Sequence, residues 1–181
     1  MNDFFKIQKE IADKSYKDSN CKYDGHEYIH HINMVENYLI KYKSCFKQEE
    51  DYIVTIIASY YHDSIEDTKL SYNDIAENSN TIVADIVLSV TDIPSTNRLM
   101  KHLLTMGKTV QDYRAIVLKL CDILANAKYS YEHGDPMYKK YKKEYSYRKP
   151  IFQQALSWYT KELDLNFLSG LWEELDDIFH A

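Results

Sequence analysis

An all-α fold is the expectation for this chain, and three observations carry it. Only 4 Gly and 3 Pro stand in 181 residues, few turn formers for a many-stranded sheet. Apolar residues recur at helical spacing through long stretches without a breaker. Ser, Asn and Asp residues able to cap helices stand before several of those stretches. The length suits one domain, 1–181, with room for a sizeable core.

The elements follow in order. Asn2 or Asp3 can cap a first helix that runs to about Lys17, with Phe4, Ile7 and Ile11 on one face. Lys17 to Glu27 reads as a loop, because it holds Asp18-Ser19-Asn20 and Asp24-Gly25. A second helix spans about Glu27 to Lys43, and a third about Glu49 to Tyr61. Ser71-Tyr72-Asn73-Asp74 matches a capping box and opens a short fourth helix. Ser79-Asn80-Thr81 caps a fifth, to about Val90, and Pro94-Ser95-Thr96 restarts the chain into a sixth, to about Met106. Thr109 opens a long seventh helix with a buried stripe at Ile116, Leu120, Ile123 and Leu124. Glu132 to Lys149 is polar and lysine-rich, and Pro150 marks a helix start or a kink. Phe152–Tyr159 and Phe167–Phe179 read as closing helices.

Composition narrows the function classes. A net charge of −6 argues against a general nucleic-acid binder, although the lysine-rich stretch suits an anionic small molecule. No apolar run approaches the ~18 residues of a membrane span. The start, Met1-Asn2-Asp3-Phe4-Phe5-Lys6, lacks the apolar stretch of a signal peptide. Cys21, Cys45 and Cys121, an odd number without metal-like pairing, suit free thiols in a reducing cytoplasm. Most of the 17 tyrosines are expected at core edges.

The densest chemistry lies in Tyr61-His62-Asp63-Ser64-Ile65-Glu66-Asp67-Thr68, just after the apolar run Tyr52 to Ala58. An unpaired buried carboxylate is costly, so adjacent His and Asp at the end of an apolar helix suggest a cation that cancels the charge. Two further segments supply partners. Tyr28-Ile29-His30-His31-Ile32 lies upstream, and Asp122 interrupts the apolar stretch Lys119 to Asn126, with Asn126 one turn later on the same face.

These segments, in this order, resemble the HD superfamily of metal-dependent phosphohydrolases. His62-Asp63-Ser64-Ile65-Glu66-Asp67-Thr68 matches the His-Asp-x-x-Glu-Asp-Thr signature of the hydrolase domain of RelA/SpoT-type alarmone enzymes. Lys22 to His31 resembles that family's basic-x-x-Gly-x-Pro-Tyr-Ile-x-His segment, Val87 to Asp92 its Val-x-x-Val-Thr-Asp, and Lys119 to Asn126 its Lys-Leu-Ala-Asp-x-x-x-Asn. Ala155 to Tyr159 and Leu175 to Phe179 are similar to the closing helices of the small, Mesh-type alarmone hydrolases. The resemblance spans nearly the whole chain and implies a single HD-type helical bundle with no synthetase domain. Glu27 and Ile32 stand where the family has proline, and the basic pair at the base-recognition segment is reduced to Lys22 followed by Tyr23.

The resemblance implies His31, His62, Asp63 and Asp122 as ligands of Mn²⁺, with Fe²⁺, Co²⁺, Ni²⁺ or Zn²⁺ as competitors. His30 is then a neighbour. It gives Glu66 and Asp67 catalytic roles in orienting water or accepting its proton. The implied reaction removes the 3′-pyrophosphate of ppGpp or pppGpp, leaving GDP or GTP. Lys22 is the candidate for packing on the base, Asn126 for ribose or phosphate, and Arg98, Lys101 and Lys128 for steering phosphates. Tyr129, close to Asn126 in the chain, is a candidate for the pocket wall. Two alternatives stay open: another nucleotide phosphate as substrate, such as the 2′-phosphate of NADPH or a deoxynucleoside monophosphate, and a non-catalytic nucleotide sensor or partner-binding protein.

Overall fold

A computed structural model describes residues 3–180, and the fold is all-α apart from one small hairpin. The Asn2 cap lies outside the described residues. The first elements are α1 (Asp3–Asp18), β1 (Lys22–Tyr23), β2 (His26–Glu27), α2 (Ile29–Lys41) and α3 (Glu49–Tyr61). Next come α4 (Ser64–Asp67), α5 (Tyr72–Asn78), α6 (Thr81–Val90) and α7 (Arg98–Thr109). The chain ends in α8 (Tyr113–Glu132), α9 (Met137–Leu156) and α10 (Leu165–His180).

Helix α8 is the axis. It packs against α2, α3, α6, α7, α9 and α10, which its sequence requires. Ala115 to Leu118 and Leu120 to Ala125 are all buried, so the helix is enclosed on nearly every side. The expected stripe of Ile116, Leu120, Ile123 and Leu124 lies in the core. Each fully buried side chain of this size contributes roughly 1.5–3 kcal/mol relative to exposure. Asp122 is held inside this apolar axis.

Several elements differ from the sequence expectation, each for a local reason. In α1, Phe4 and Ile7 are exposed, and the buried ridge is Gln8, Ala12 and Tyr16. Gln8 is tolerated inside because it accepts from the Tyr61 hydroxyl at 2.9 Å and donates to the Asn78 carbonyl at 2.8 Å. The loop after α1 folds into an antiparallel hairpin, with Asp24 and Gly25 at φ 46° and 81° in its turn. Both central residues at positive φ make the Asp-Gly pair the signal for such a turn. Helix α2 starts at Ile29 rather than Glu27, since His26 and Glu27 belong to β2.

Asn97 rather than Pro94-Ser95-Thr96 caps α7, accepting from the Met100 N–H at 2.8 Å. Thr109 ends α7 instead of opening α8; its buried hydroxyl donates to the Ser89 carbonyl at 2.8 Å, and Asp112 caps α8. The lysine-rich stretch is helical: α9 runs through Pro150 without a break. Ser146, whose carbonyl Pro150 leaves without its usual donor, is exposed along with Pro150 itself. Buried Tyr145 and Phe152 anchor α9 to the core on either side.

The capping box at Ser71 and Asp74 forms as the sequence implies, with Asp74 N–H donating to Ser71 Oγ at 3.3 Å. The end of α3 matters most for the site. Tyr61 closes that helix, and the Ser64 hydroxyl donates back to its carbonyl at 2.7 Å. This tight turn projects His62 and Asp63 toward α8.

Candidate metal centre and basic cleft

Four side chains from three segments meet where α2 and the α3–α4 turn cross α8. His31 Nε2 lies 3.1 Å from His62 Nε2. His62 Nε2 lies 3.0 Å from Asp63 Oδ2, and His31 Nε2 lies 3.9 Å from the same oxygen. Asp122 Oδ1 closes the group from α8, 3.2 Å from His31 Nε2 and 3.7 Å from His62 Nε2. His31, His62 and Asp63 alone each offer an atom within 4.8 Å of the others, and Asp122 joins them through the two imidazoles. Atoms bound to one ion at about 2.1 Å stand about 3.0 Å apart at right angles and about 3.4 Å apart at the tetrahedral angle. His31, His62 and Asp63 lie close enough to share a divalent cation, Asp122 stands beside the two imidazoles, and two imidazoles with two carboxylates offer a mixed N/O donor set.

The hydrogen bonds around the group set its protonation. His62 Nδ1 donates to the Ser59 carbonyl at 2.8 Å, so in the neutral ring the lone pair is on Nε2, directed at the group. Asp122 accepts from Lys119 Nζ at 2.9 Å and from Asn126 Nδ2 at 2.6 Å. Asp63 accepts from the Tyr28 hydroxyl. Burial pushes both carboxyls up, but the charges opposite win. His62 holds Asp63 below the usual carboxylate range, and Lys119, with His31 and His62, holds Asp122 well below it. His62 itself is lowered by burial, yet Asp63 and Asp122 raise it well above an ordinary imidazole.

Beside Asp122 opens a polar cleft of about 110 Å³, lined by Arg98, Lys101, Lys119, Asn126 and Arg148 among others. Its cations are already paired: Arg98 and Arg148 with buried Glu144, Lys101 with Asp92, and Lys119 with Asp122. Glu66 reaches the same neighbourhood, accepting from the Asp92 N–H at 2.7 Å. Desolvation and nearby Asp63 raise both Glu66 and Asp67 above the ordinary carboxylate range. A carboxylate raised in this way is a better proton acceptor near neutrality.

The structure thus brings together His31, His62, Asp63, Asp122, Asn126, Arg98 and Lys101, with Glu66 alongside. Asp67 is exposed at the end of α4, and its backbone carbonyl takes the Cys21 thiol at 2.9 Å. Lys22 is not brought in; it pairs with Glu27 across the hairpin. Lys128 is exposed on α8, and six residues past Asp122 it faces away from that carboxylate. Tyr129 is buried and does not line the cleft; its hydroxyl donates to Asp24 at 2.9 Å. Lys119, His102, Glu144 and Arg148 were not among the expected residues. Lys119 carried a signal, standing three residues before Asp122 in a helix; the others carried none.

Comparison with known proteins adds three findings. A sequence model of the HD domain family matches residues 9–147. Two curated relatives align with about half of the chain. One is the guanosine-3′,5′-bis(diphosphate) 3′-pyrophosphohydrolase of Aquifex aeolicus, 36% identical over 94 residues. The other is a probable chloroplastic GTP diphosphokinase of Arabidopsis thaliana, 30% identical over 101 residues. The chain spans 14% of the length of each. A solved structure of a metazoan ortholog of SpoT, described as hydrolysing ppGpp with a role in starvation responses, superposes with a TM-score of 0.67 at 20% identity. That match covers 99% of this chain and 96% of the other; it establishes the fold. Among the described residues no helix is long and apolar enough to cross a membrane.

Proposed function

We propose, on the premise that the chain belongs to the HD domain family, that it hydrolyses the 3′-pyrophosphate of ppGpp or pppGpp with a divalent cation, yielding GDP or GTP and pyrophosphate. One observation carries the reading: Asp122, which stands beside both imidazoles of the His/Asp group, also lines a cleft with four cationic side chains. A pyrophosphate ester needs both a centre that activates water and positive charge along its phosphates. The relative from Aquifex aeolicus bears the name of this activity, which supports the choice of substrate. The described residues then form a single hydrolase domain, and its free cysteines suit a cytoplasmic place.

In this reading His31, His62, Asp63 and Asp122 hold the cation, with Mn²⁺ as the proposed ion. A bound divalent cation lowers the pKa of water and offsets phosphate charge. Glu66 orients the attacking water and takes its proton, with Asp67 beside it. Arg98, Lys101, Lys119 and Arg148 exchange their carboxylate partners for phosphate oxygens. Asn126, while holding Asp122, faces the ribose side of the cleft.

The segment expected to hold the base favours a second substrate reading. Lys22 pairs with Glu27, and Tyr23 packs on His31 instead of supplying a second cation. The 2′-phosphate of NADPH or a nucleoside monophosphate is the alternative. One experiment separates them: purified protein with Mn²⁺, and with chelator, is offered ppGpp, NADPH and deoxynucleoside monophosphates. Pyrophosphate released from ppGpp only with Mn²⁺ is expected. Orthophosphate from the other substrates with ppGpp untouched selects the second reading, and no turnover of any overturns the enzyme.

A further inference from the structure

We propose that Tyr23 is a positioning residue that fixes the His31 ring and, through Asn126, the Asp122 carboxylate. The inference rests on the cation reading above and concerns the position where this chain departs from the basic pair of similar proteins.

The two imidazoles of the group are held differently. His62 is fixed by its Nδ1 donating to the Ser59 carbonyl at 2.8 Å, the usual way a ligating histidine is oriented. His31 lacks that support: its buried Nδ1 has no hydrogen-bond partner among the described residues. Aromatic rings hold it instead. The Tyr23 ring stacks on its face with centroids 4.7 Å apart and planes 10° apart. Tyr28 meets it edge-on at 5.6 Å and 73°, and Tyr16 backs Tyr28 at 4.3 Å.

The same Tyr23 side chain reaches a second ligand. Its hydroxyl donates to Asn126 Oδ1 at 3.0 Å. That contact turns the Asn126 amide so that Nδ2 donates to Asp122 Oδ1 at 2.6 Å, the oxygen that faces both imidazoles. The hairpin itself is tied down beside it. Asp24, at positive φ in the turn, accepts from Tyr129, and the Tyr23 and Tyr129 rings meet edge-on at 5.1 Å. A side chain that only filled the core edge would have no use for a hydroxyl on Asn126. One residue on a short hairpin therefore sets the orientation of ligands from α2 and α8.

The test is Mn²⁺ titration of the purified chain as wild type, Tyr23→Leu, Tyr23→Phe and Asp63→Ala, with thermal midpoints of the metal-free proteins. Tyr23→Leu removes the stack and the hydroxyl, and its affinity should fall ~10–100-fold, the loss typical when a group orienting a metal ligand is removed. Tyr23→Phe keeps the stack and should weaken binding only about fivefold, the scale of one neutral hydrogen bond. A merely structural role would lower the metal-free midpoint and leave the affinity of folded protein unchanged. Wild-type affinity in Tyr23→Leu overturns the assignment; if that variant does not fold, wild-type affinity in Tyr23→Phe does so. If wild type binds no Mn²⁺, or Asp63→Ala binds as wild type does, the cation reading falls and takes the Tyr23 inference with it. If only Asp63→Ala loses the ion, the cation reading stands and Tyr23 alone is excluded.

Discussion

Asp122→Asn keeps the shape of a buried side chain and removes its charge, so it separates the cation from the fold. Asp122 is paired with Lys119 at 2.9 Å and lies 3.2 Å from His31. Breaking a buried pair by removing one partner costs about 3–5 kcal/mol. Lys119 keeps 19% of its side chain exposed and the replacement amide still accepts a hydrogen bond, so about 2 kcal/mol is the appropriate figure. For a chain of this size that lowers the thermal midpoint by about 4–8 °C. In wild type, Mn²⁺ at about 100 times its dissociation constant adds about 2.7 kcal/mol and raises the midpoint by about 5–11 °C. Thermal unfolding with Mn²⁺ and with chelator should show that rise in wild type and none in Asp122→Asn. A variant that gains as much from Mn²⁺ as wild type would refute the four-ligand site.

Three other predictions test separate parts of the argument. Glu66→Gln keeps an acceptor for the Asp92 N–H and should bind Mn²⁺ normally, yet lose about 10²–10⁴ in kcat for pyrophosphate release; full kcat removes Glu66 from proton transfer. Burial, with Arg148 nearby, depresses buried His102 to about 4. Its neutral form therefore contributes stability that is complete above about pH 6.5 and lost as pH falls toward about 4, at most about 3 kcal/mol. Urea unfolding across that window should show a shallower acid loss in His102→Gln, and an identical slope sinks the idea. Pro150→Ala restores a donor to the Ser146 carbonyl within α9 and should raise stability by up to about 3 kcal/mol; an unchanged or lower midpoint shows that the proline is accommodated without cost.

What the sequence made legible was local. His62 and Asp63 stand at the end of one helix, and Asp122 and Asn126 one turn apart on another, so helical spacing alone relates the members of each pair. The family resemblance supplied what spacing cannot, the pairing of those segments with His31. The hairpin was legible in principle, since Asp24-Gly25 is a strong turn signal, but strands of two residues leave no alternation to read. Helix α9 was hidden because an interior proline and a run of lysines argue against a buried helix. Its buried Glu144 meets Arg98, 46 positions away in the chain. Lys22 shows the same limit, because its cross-strand partner Glu27 exists only once the hairpin forms. Lys128 could have been excluded from spacing alone, six residues past Asp122.

In this chain of net charge −6 the cations of the cleft are held in pairs. Four cations line the cleft, Arg98, Lys101, Lys119 and Arg148, against three carboxylates, Asp92, Asp122 and Glu144. Left unpaired, those cations would repel one another. Paired internally, they stay close to Asp122 on α8. Glu144 is the pivot, since it takes both Arg98 and Arg148, and its own exposure is only 5%. A phosphate entering the cleft must compete with Glu144 for two guanidiniums at once. In the proposed reading, a pyrophosphate can engage one guanidinium with each phosphoryl group. In that reading the ligand displaces one carboxylate, Glu144, from two cations.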